Sequence, residues 1–413
     1  MGQLYVPEGT WVLCSEGKKI ARIQVSSQAT IRIDGGKLAA TEADRFDGNF
    51  VCFKMVAAGA VIGAVVGAAV VASGGSLLAV AAAGAAGAAA GAGVGGIVSS
   101  LPSICSLLCK PSDWTVLHPE ARFSGKRALL QKATLSCLLG GTVSMKLPNY
   151  QESIDMGLLA GESVYKDPDK GEASDDTPYL TQDEKDMIKS YHRLSDKEKR
   201  ALGLNPKLFG DPSVSDYHAD LYKKDGKYVL VFRGTQSLKD AVEDGKQGTG
   251  MSSDYYNKSV QLAKEMKKTG LFTSQNTIIT GHSLGGGMAA TAGGATGFPT
   301  YTYNAAGVHD ATLNRNNIRR SDMQQVQAYN SNNDPLNQAQ DHREMILGNM
   351  GWFGGGVMLT GGLPRAAGQR MELDTGKFVL QGQSGGHAAI NAVRVLEQEA
   401  KKSGGQTVVA KTQ

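Results

Sequence analysis

Thr277-Ile278-Ile279-Thr280-Gly281-His282-Ser283-Leu284-Gly285-Gly286-Gly287-Met288-Ala289-Ala290 is the stretch from which the second half of the chain takes its sense. Its first four residues are a β-branched run behind Asn276, the pattern of a short strand. Its last six are small residues, suited to a helix packed closely on a sheet. Between them, Gly281-x-Ser283-x-Gly285 has the spacing of a nucleophile elbow, a sharp strand-to-helix turn that lifts a serine to the top of a sheet. Such a turn leaves no room for Cβ atoms two residues either side, hence the glycines. The bare pattern also fits a glycine-rich helix start with an ordinary serine; the flanking strand and helix select the elbow.

Upstream, Tyr228-Val229-Leu230-Val231-Phe232 is a continuous apolar run, as in a strand buried on both faces, and it leads into Arg233-Gly234-Thr235. A helix is predicted from about Ser253 to Lys268, with Tyr256, Val260, Ala263 and Met266 on one face and Gly270 as its stop. Downstream, strands are predicted at Tyr301-Thr302-Tyr303, Val326 to Tyr329 and Phe378-Val379-Leu380, and a helix from Ala388 to Glu399. Strands alternating with helices predict a doubly wound, mostly parallel sheet, an α/β hydrolase domain over residues 206–413.

A serine hydroxyl needs a base beside it and a third group to orient that base. In this fold the chain order is serine, acid, histidine, which excludes His192 and His218 and leaves His309, His342 and His387. His387 follows Gln383-Ser384-Gly385-Gly386, a glycine loop after the last predicted strand and just before a helix, where a base can lean over the serine. His309 has no acid between itself and Ser283, and His342 lies in a polar stretch with Asp341 and Arg343. Among Asp310, Asp322, Asp334, Asp341 and Asp374, the choice is Asp334, which ends a strand in the turn Asn332-Asn333-Asp334-Pro335. An Asx-turn cap is the structural alternative for it. The oxyanion donors are expected to be the backbone N–H of Leu284 and that of Thr235, while Arg233 is expected to anchor its turn through a buried ion pair. No cofactor and no catalytic metal are called for.

The first half reads differently. Trp11 to Ile33 forms short strands, and Ala133-Thr134-Leu135-Ser136-Cys137-Leu138-Leu139-Gly140-Gly141 echoes Thr10-Trp11-Val12-Leu13-Cys14-Ser15-Glu16-Gly17. Two related halves of a small all-β domain, residues 1–147, are therefore expected, with an insert at 55–108. From Met55 to Cys109 there is no charge, and glycines four apart (Gly63 and Gly67; Gly87, Gly91 and Gly95) suit a transmembrane-like helical hairpin. A low-complexity Ala/Gly segment shielded by a partner is the other reading. Residues 148–205 read as a polar helical lead-in, with capping boxes at Thr181 to Glu184 and Ser195 to Glu198. Met345 to Leu363, with Trp352 and Phe353, reads either as an interfacial flap or as a loop covering the core.

At 413 residues, two or three domains are expected, and 41% apolar with 20% charged residues is the balance of a folded protein. A net charge of +4 from 43 basic and 39 acidic residues, without a basic block, argues against nucleic acid as a partner. All five cysteines (Cys14, Cys52, Cys105, Cys109, Cys137) lie in the first third. With His118 they are compatible with a soft-ligand metal site, and equally with buried or disulfide-paired thiols. Met1 to Glu8 has neither a basic n-region nor an apolar h-region, so export by a cleaved signal peptide is not expected.

Two resemblances follow from these residues. The early Leu-Cys-Ser-x-Gly segment, Cys52, Trp114 and Leu135 to Gly141 resemble the PAAR-like family of spike-tip proteins, which implies delivery by a contractile injection machine, usually type VI secretion. Val231-Phe232-Arg233-Gly234-Thr235, Gly281 to Gly286, Asn333-Asp334-Pro335 and His387 resemble a class 3 lipase over roughly residues 150–400. Lys239-Asp240-Ala241 stands where many relatives of that family carry an aromatic. Together the resemblances imply a secreted antibacterial lipase or phospholipase that hydrolyses acyl esters of membrane glycerolipids in a target cell's membrane or periplasm. The partners implied are membrane phospholipid, a valine-glycine repeat spike protein, a chaperone for the hairpin and an immunity protein. A non-catalytic spike cap with a membrane-inserting hairpin, and an esterase or thioesterase acting on soluble substrates, are the competing readings.

Overall fold

The computed structural model describes residues 4–17, 19–33, 36–50, 104–146, 149–166, 172–173, 177–210, 216–234, 253–341, 367–378 and 385–402. The chain divides into two compact units, Met1–Asn149 with Lys402–Gln413, and Tyr150–Lys401.

In the first unit, strands β1 (Trp11–Cys14), β2 (Ala21–Gln24) and β5 (Arg45–Asp47) join β8 (Thr134–Ser136) and β9 (Thr142–Lys146) in one antiparallel sheet, ordered β5-β2-β1-β9-β8. Two hairpins accompany it, β3 (Arg32–Ile33) with β4 (Lys37–Leu38) and β6 (Leu117–Phe123) with β7 (Lys126–Leu129). The echoed segments adopt the same local form. β1 turns antiparallel onto β2 and β8 onto β9, and in each turn the cysteine carbonyl accepts the glycine N–H three residues on: Gly17 to Cys14 at 3.0 Å, Gly140 to Cys137 at 2.8 Å. Val12, Ile23, Phe46, Phe50, Trp114, Leu135 and Val143 share the core. Buried Asp44 ties two strand-linking segments, accepting the N–H groups of Ser26 and Ser27 from one and of Thr41 from its own.

The short helix α1 (Ile104–Cys109) brings two cysteines to the same place, so Cys14, Cys105, Cys109 and Cys137 line one cavity. Burial, followed by the neighbouring thiols, pushes Cys109 up to about 12. Among the described residues no group of three or more His, Cys, Asp or Glu is set to hold a metal ion, and no helix is long and apolar enough to cross a membrane. Most of the expected hairpin at 55–108 lies outside the described residues.

Among the described residues the second unit is built on a seven-stranded sheet: β10 (His192–Arg193), β11 (Ala219–Lys224), β12 (Lys227–Phe232), β13 (Thr277–His282), β14 (Thr300–Tyr303), β15 (Val326–Ser331) and β16 (Gln369–Leu373). The first three run antiparallel and β12 to β16 run parallel. The strands stand in chain order without a reversal, which corrects the doubly wound expectation. Right-handed crossovers between neighbours taken in sequence all fall on one face.

On that face α5 (Asp254–Lys268) and α6 (Leu284–Thr296) pack on Leu230, Phe232 and Ile279. The other face is closed by α2 (Tyr150–Gly161), where Met156 O accepts the Thr280 hydroxyl at 3.2 Å, and by α9 (Ala389–Lys402), whose Val393 is a near neighbour of Gly157.

Two further differences from the sequence reading stand out. Residues 148–205 are no mere lead-in: α2 is buried along Ser153 to Ala160 and belongs to the sheet's core. Burying a leucine such as Leu158 or Leu159 contributes roughly 1.5–3 kcal/mol. The capping boxes start α3 (Gln182–Lys189) and α4 (Asp196–Ala201) as expected. The strand paired with β15 is Gln369–Leu373 and not the run at Phe378; Phe378 sits in a turn, its N–H on the Thr375 carbonyl at 2.9 Å, and 379–380 lie outside the described residues.

Candidate active site

At the carboxyl end of β13 the chain reverses directly into α6. Ser283 takes φ +57° and ψ −127°, a conformation costly for a residue with a Cβ and held only where the surroundings dictate it. A Cβ on Gly281 would run into the Gly285 carbonyl, and one on Gly285 into the Phe232 carbonyl, so both glycines answer to close backbone approach. The Ser283 N–H donates to the Tyr303 carbonyl at 3.1 Å, which ties the turn to β14. Ser283 heads a 13-residue helix, so its oxygen stands at the positive end of the helix dipole.

His387 comes from a 3-10 turn, Gly385–His387, just before α9. Its Nε2 lies 2.8 Å from Ser283 Oγ and its Nδ1 2.8 Å from Asp334 Oδ1. Asp334 is fully buried and precedes α8 (Pro335–Asp341), accepting the N–H of Leu336 at 3.1 Å and of Asn337 at 3.2 Å. An ionised carboxylate accepts only, so His387 carries its proton on Nδ1 and leaves Nε2 bare to receive the serine hydroxyl's proton. The cap contacts and the contact to His387 therefore coexist in Asp334.

Leu284, buried, is the first residue of α6, in the turn where helix N–H groups lack intrahelical acceptors. Thr235 lies outside the described residues. Its neighbour Gly234 donates its N–H to Tyr165 Oη at 3.0 Å, and a Cβ there would meet Tyr165 Oη, the His282 carbonyl and Ser283 Cβ, so the turn after β12 borders the nucleophile. Arg233 donates to the Asp216 carbonyl at 2.9 Å and so anchors its turn.

Most of the rejected candidates are engaged elsewhere among the described residues. His309 caps α7 (Asp310–Arg315) by accepting the Ala311 N–H; Asp310 pairs with Arg320 and Asp322 with Arg319. Asp374 accepts from Asn332 at 3.1 Å, Asp341 ends α8, and His342 is outside the described residues.

Three residues that sequence reasoning did not single out surround the site: Tyr165, His282 and Asn304. His282 is half-buried, and the desolvation of its ring, with the neighbouring His387 ring second, drives it down to about 3, so it is neutral. It was visible only as the variable position of the elbow, and the other two carried no signal, since their contacts span 69 to 83 residues of chain.

The second unit thus sets a serine, a histidine and an aspartate in one hydrogen-bonded row at the carboxyl end of the parallel strands. The chain belongs to the phospholipase-like family: the Tle-like phospholipase domain matches residues 159–385, more than half of the chain. It is similar to an extracellular phospholipase A1 of Serratia liquefaciens, 36% identical over 162 residues that cover 38% of this chain and 50% of that protein. The chain thus spans about half the length of the curated relative it matches. A partial likeness links it to the extracellular lipase LipA of Serratia marcescens, with 15% identity, a TM-score of 0.30, and coverage of 46% of this chain and 40% of that one.

Proposed function

We propose that the chain is a phospholipase or lipase that cleaves acyl esters of membrane glycerolipids through Ser283, His387 and Asp334. As Ser283 Oγ attacks the ester carbonyl, His387 Nε2 takes its proton, and Asp334 holds the resulting imidazolium without being protonated. The tetrahedral oxyanion is met by the N–H of Leu284 and, on the sequence reading, that of Thr235. Collapse expels the alcohol, protonated by His387, and leaves an acyl-serine. Water, deprotonated by His387, then releases the fatty acid.

The observation that carries this is the unbroken chain of 2.8 Å contacts from Ser283 through His387 to Asp334. The match to the phospholipase-like family and the Serratia liquefaciens relative supports lipid as the substrate class. The test compares the full chain with Ser283→Ala on phosphatidylethanolamine/phosphatidylglycerol vesicles and on a soluble short-chain ester. Fatty acid released from vesicles by the wild type and not by the variant is expected. Equal lipid damage by both removes the enzymatic reading, and cleavage of the soluble ester alone transfers the activity to soluble substrates.

The same proposal extends to delivery. The first unit serves as a PAAR-like tip seated on a valine-glycine repeat spike protein, and carries the lipase through a type VI machine to a target cell's membrane or periplasm. A chaperone for the charge-free stretch and an immunity protein complete the set of partners. The repeated strand-cysteine-glycine turns of the first unit support this reading. Co-purification of the full chain with a spike protein, lost on removing residues 1–147, is the expected result.

A further inference from the structure

We propose that His282 and Asn304 form a two-donor clamp on the main-chain carbonyl of His387, which makes both of them positioning residues for acyl transfer. The inference rests on the hydrolase reading above. His282 Nε2 lies 2.7 Å from the His387 carbonyl oxygen and Asn304 Nδ2 lies 2.8 Å from it. Both lone pairs of one carbonyl are thus taken by N–H groups projecting from the floor of the site. The first comes from the residue beside the nucleophile and the second from the end of the neighbouring strand.

The proton positions follow from the partners. A carbonyl only accepts, so neutral His282 carries its single N–H on Nε2, and its buried Nδ1 finds no hydrogen-bond partner among the described residues. An orphaned buried nitrogen is unfavourable, and the ring is nevertheless held in this tautomer by the carbonyl it serves. Asn304 is aimed just as strictly. Its φ of +44° is rare for a residue with a side chain, its N–H is fixed on the Tyr329 carbonyl at 2.9 Å, and its Oδ1 accepts from Ser331 N at 2.7 Å and Asn337 Nδ2 at 3.2 Å. That leaves Nδ2 to face the carbonyls of His387 and, at 3.4 Å, Gly386. Asn337 also donates its N–H to Asp334, so the clamp and the acid share a support.

The effect is to couple three positions. The elbow serine, the base and the acid come from separate elements, and a displacement of about 1 Å at the base costs on the order of 10²-fold in rate. The clamp holds the backbone of His387 to the residue next to Ser283, so base and nucleophile keep their spacing. Because His282 stays uncharged, no second cation stands beside the imidazolium that forms; the two rings are 4.8 Å apart between centroids.

The test uses the full chain on a soluble short-chain ester, with kcat and KM measured separately, and the rate at which a fluorophosphonate labels Ser283. His282→Leu keeps bulk and removes the donor. His282→Gln restores an N–H at similar reach. Asn304→Asp keeps the shape and the left-handed backbone but turns an oxygen toward the two carbonyls. Expected are falls in kcat and labelling rate of about 10- to 100-fold for His282→Leu and Asn304→Asp, KM within about twofold, and recovery of most of the loss in His282→Gln. Wild-type kcat in both disruptive variants overturns the clamp, as does an equal deficit in His282→Gln and His282→Leu. Should His282→Leu fail to fold, Asn304→Asp decides the matter. A wild type that labels and turns over while the variants match it sinks the clamp alone; a wild type whose Ser283 neither labels nor hydrolyses sinks the hydrolase reading itself.

Discussion

Ser283 and His387 are 104 residues apart in sequence, and 2.8 Å separates Ser283 Oγ from His387 Nε2. In the proposed reaction, proton transfer over that contact depends on the tautomer of His387, which Asp334 sets from behind the ring. Asp334→Asn leaves a neutral amide that can donate to Nδ1 and so moves the proton to Nε2, where it blocks the base. A fall in kcat of about 10⁴ with little change in KM is expected on a soluble ester, by the logic of the serine-histidine-aspartate triad. A loss of less than tenfold would mean that Asp334 acts only as the cap of α8. At this scale the grouping of Ser283, Asp334 and His387 was legible, because the elbow is a local pattern and the chain order ranks the others. Tyr165, His282 and Asn304 were not, because a hydrogen bond across scores of residues leaves no periodicity.

Among the elements, α9 follows His387 and is moored to α3. Arg394 reaches Glu184 at 2.5 Å and Glu397 at 3.2 Å, and donates to the Tyr179 carbonyl at 3.1 Å. Tyr179 in turn donates to Glu162 at 2.8 Å. Burial raises Glu162 to about 7, against the hydrogen bond from Tyr179. Between the ordinary glutamate range and pH 7 the folded protein therefore holds a proton that the unfolded chain has released, and stability falls as pH rises through that window. Glu162→Gln keeps an acceptor for Tyr179 and removes the ionisation. It is expected to flatten the decline between about pH 4.5 and 7, with a gain on the order of 3 kcal/mol above pH 7. Urea midpoints of both proteins at pH 5 and pH 8 check this, and a parallel shift at both pH values would contradict it.

The elements that the sequence concealed have physical reasons. α2 is buried all along Ser153 to Ala160, so it shows no amphipathic stripe to be read as a helix. β16 is an edge strand of Gln, Arg, Met, Glu and Leu, with its polar residues half-exposed, and the more apolar run at Phe378 drew the assignment away from it. β10 is only two residues long and borrows its conformation from β11.

At the scale of the molecule, the four described cysteines meet from three separate stretches of the first unit, while the second unit has none. Cys105 and Cys109 are buried and Cys14 and Cys137 half-buried. Since the thiolate is the nucleophile, burial that raises Cys109 to about 12 slows its alkylation. Mass spectrometry after brief iodoacetamide treatment of the native protein is expected to find Cys109 modified ~10-fold or more slowly than Cys14 or Cys137. Equal labelling of all three would show that the cavity opens readily.

What the sequence determined by itself was whatever is encoded locally or by order along the chain. That includes the strand-turn-helix around Ser283, the succession of serine, acid and histidine, the capping boxes of α3 and α4, and the echo of Cys14 to Gly17 in Cys137 to Gly140. Only the tertiary structure decided that the sheet runs in unreversed order, that α2 and α9 close its second face, and that two donors from distant positions grip the carbonyl of His387. The division follows from range: steric and capping preferences act within a few residues, whereas face coverage and hydrogen bonds across the sheet exist only once distant segments have been packed together.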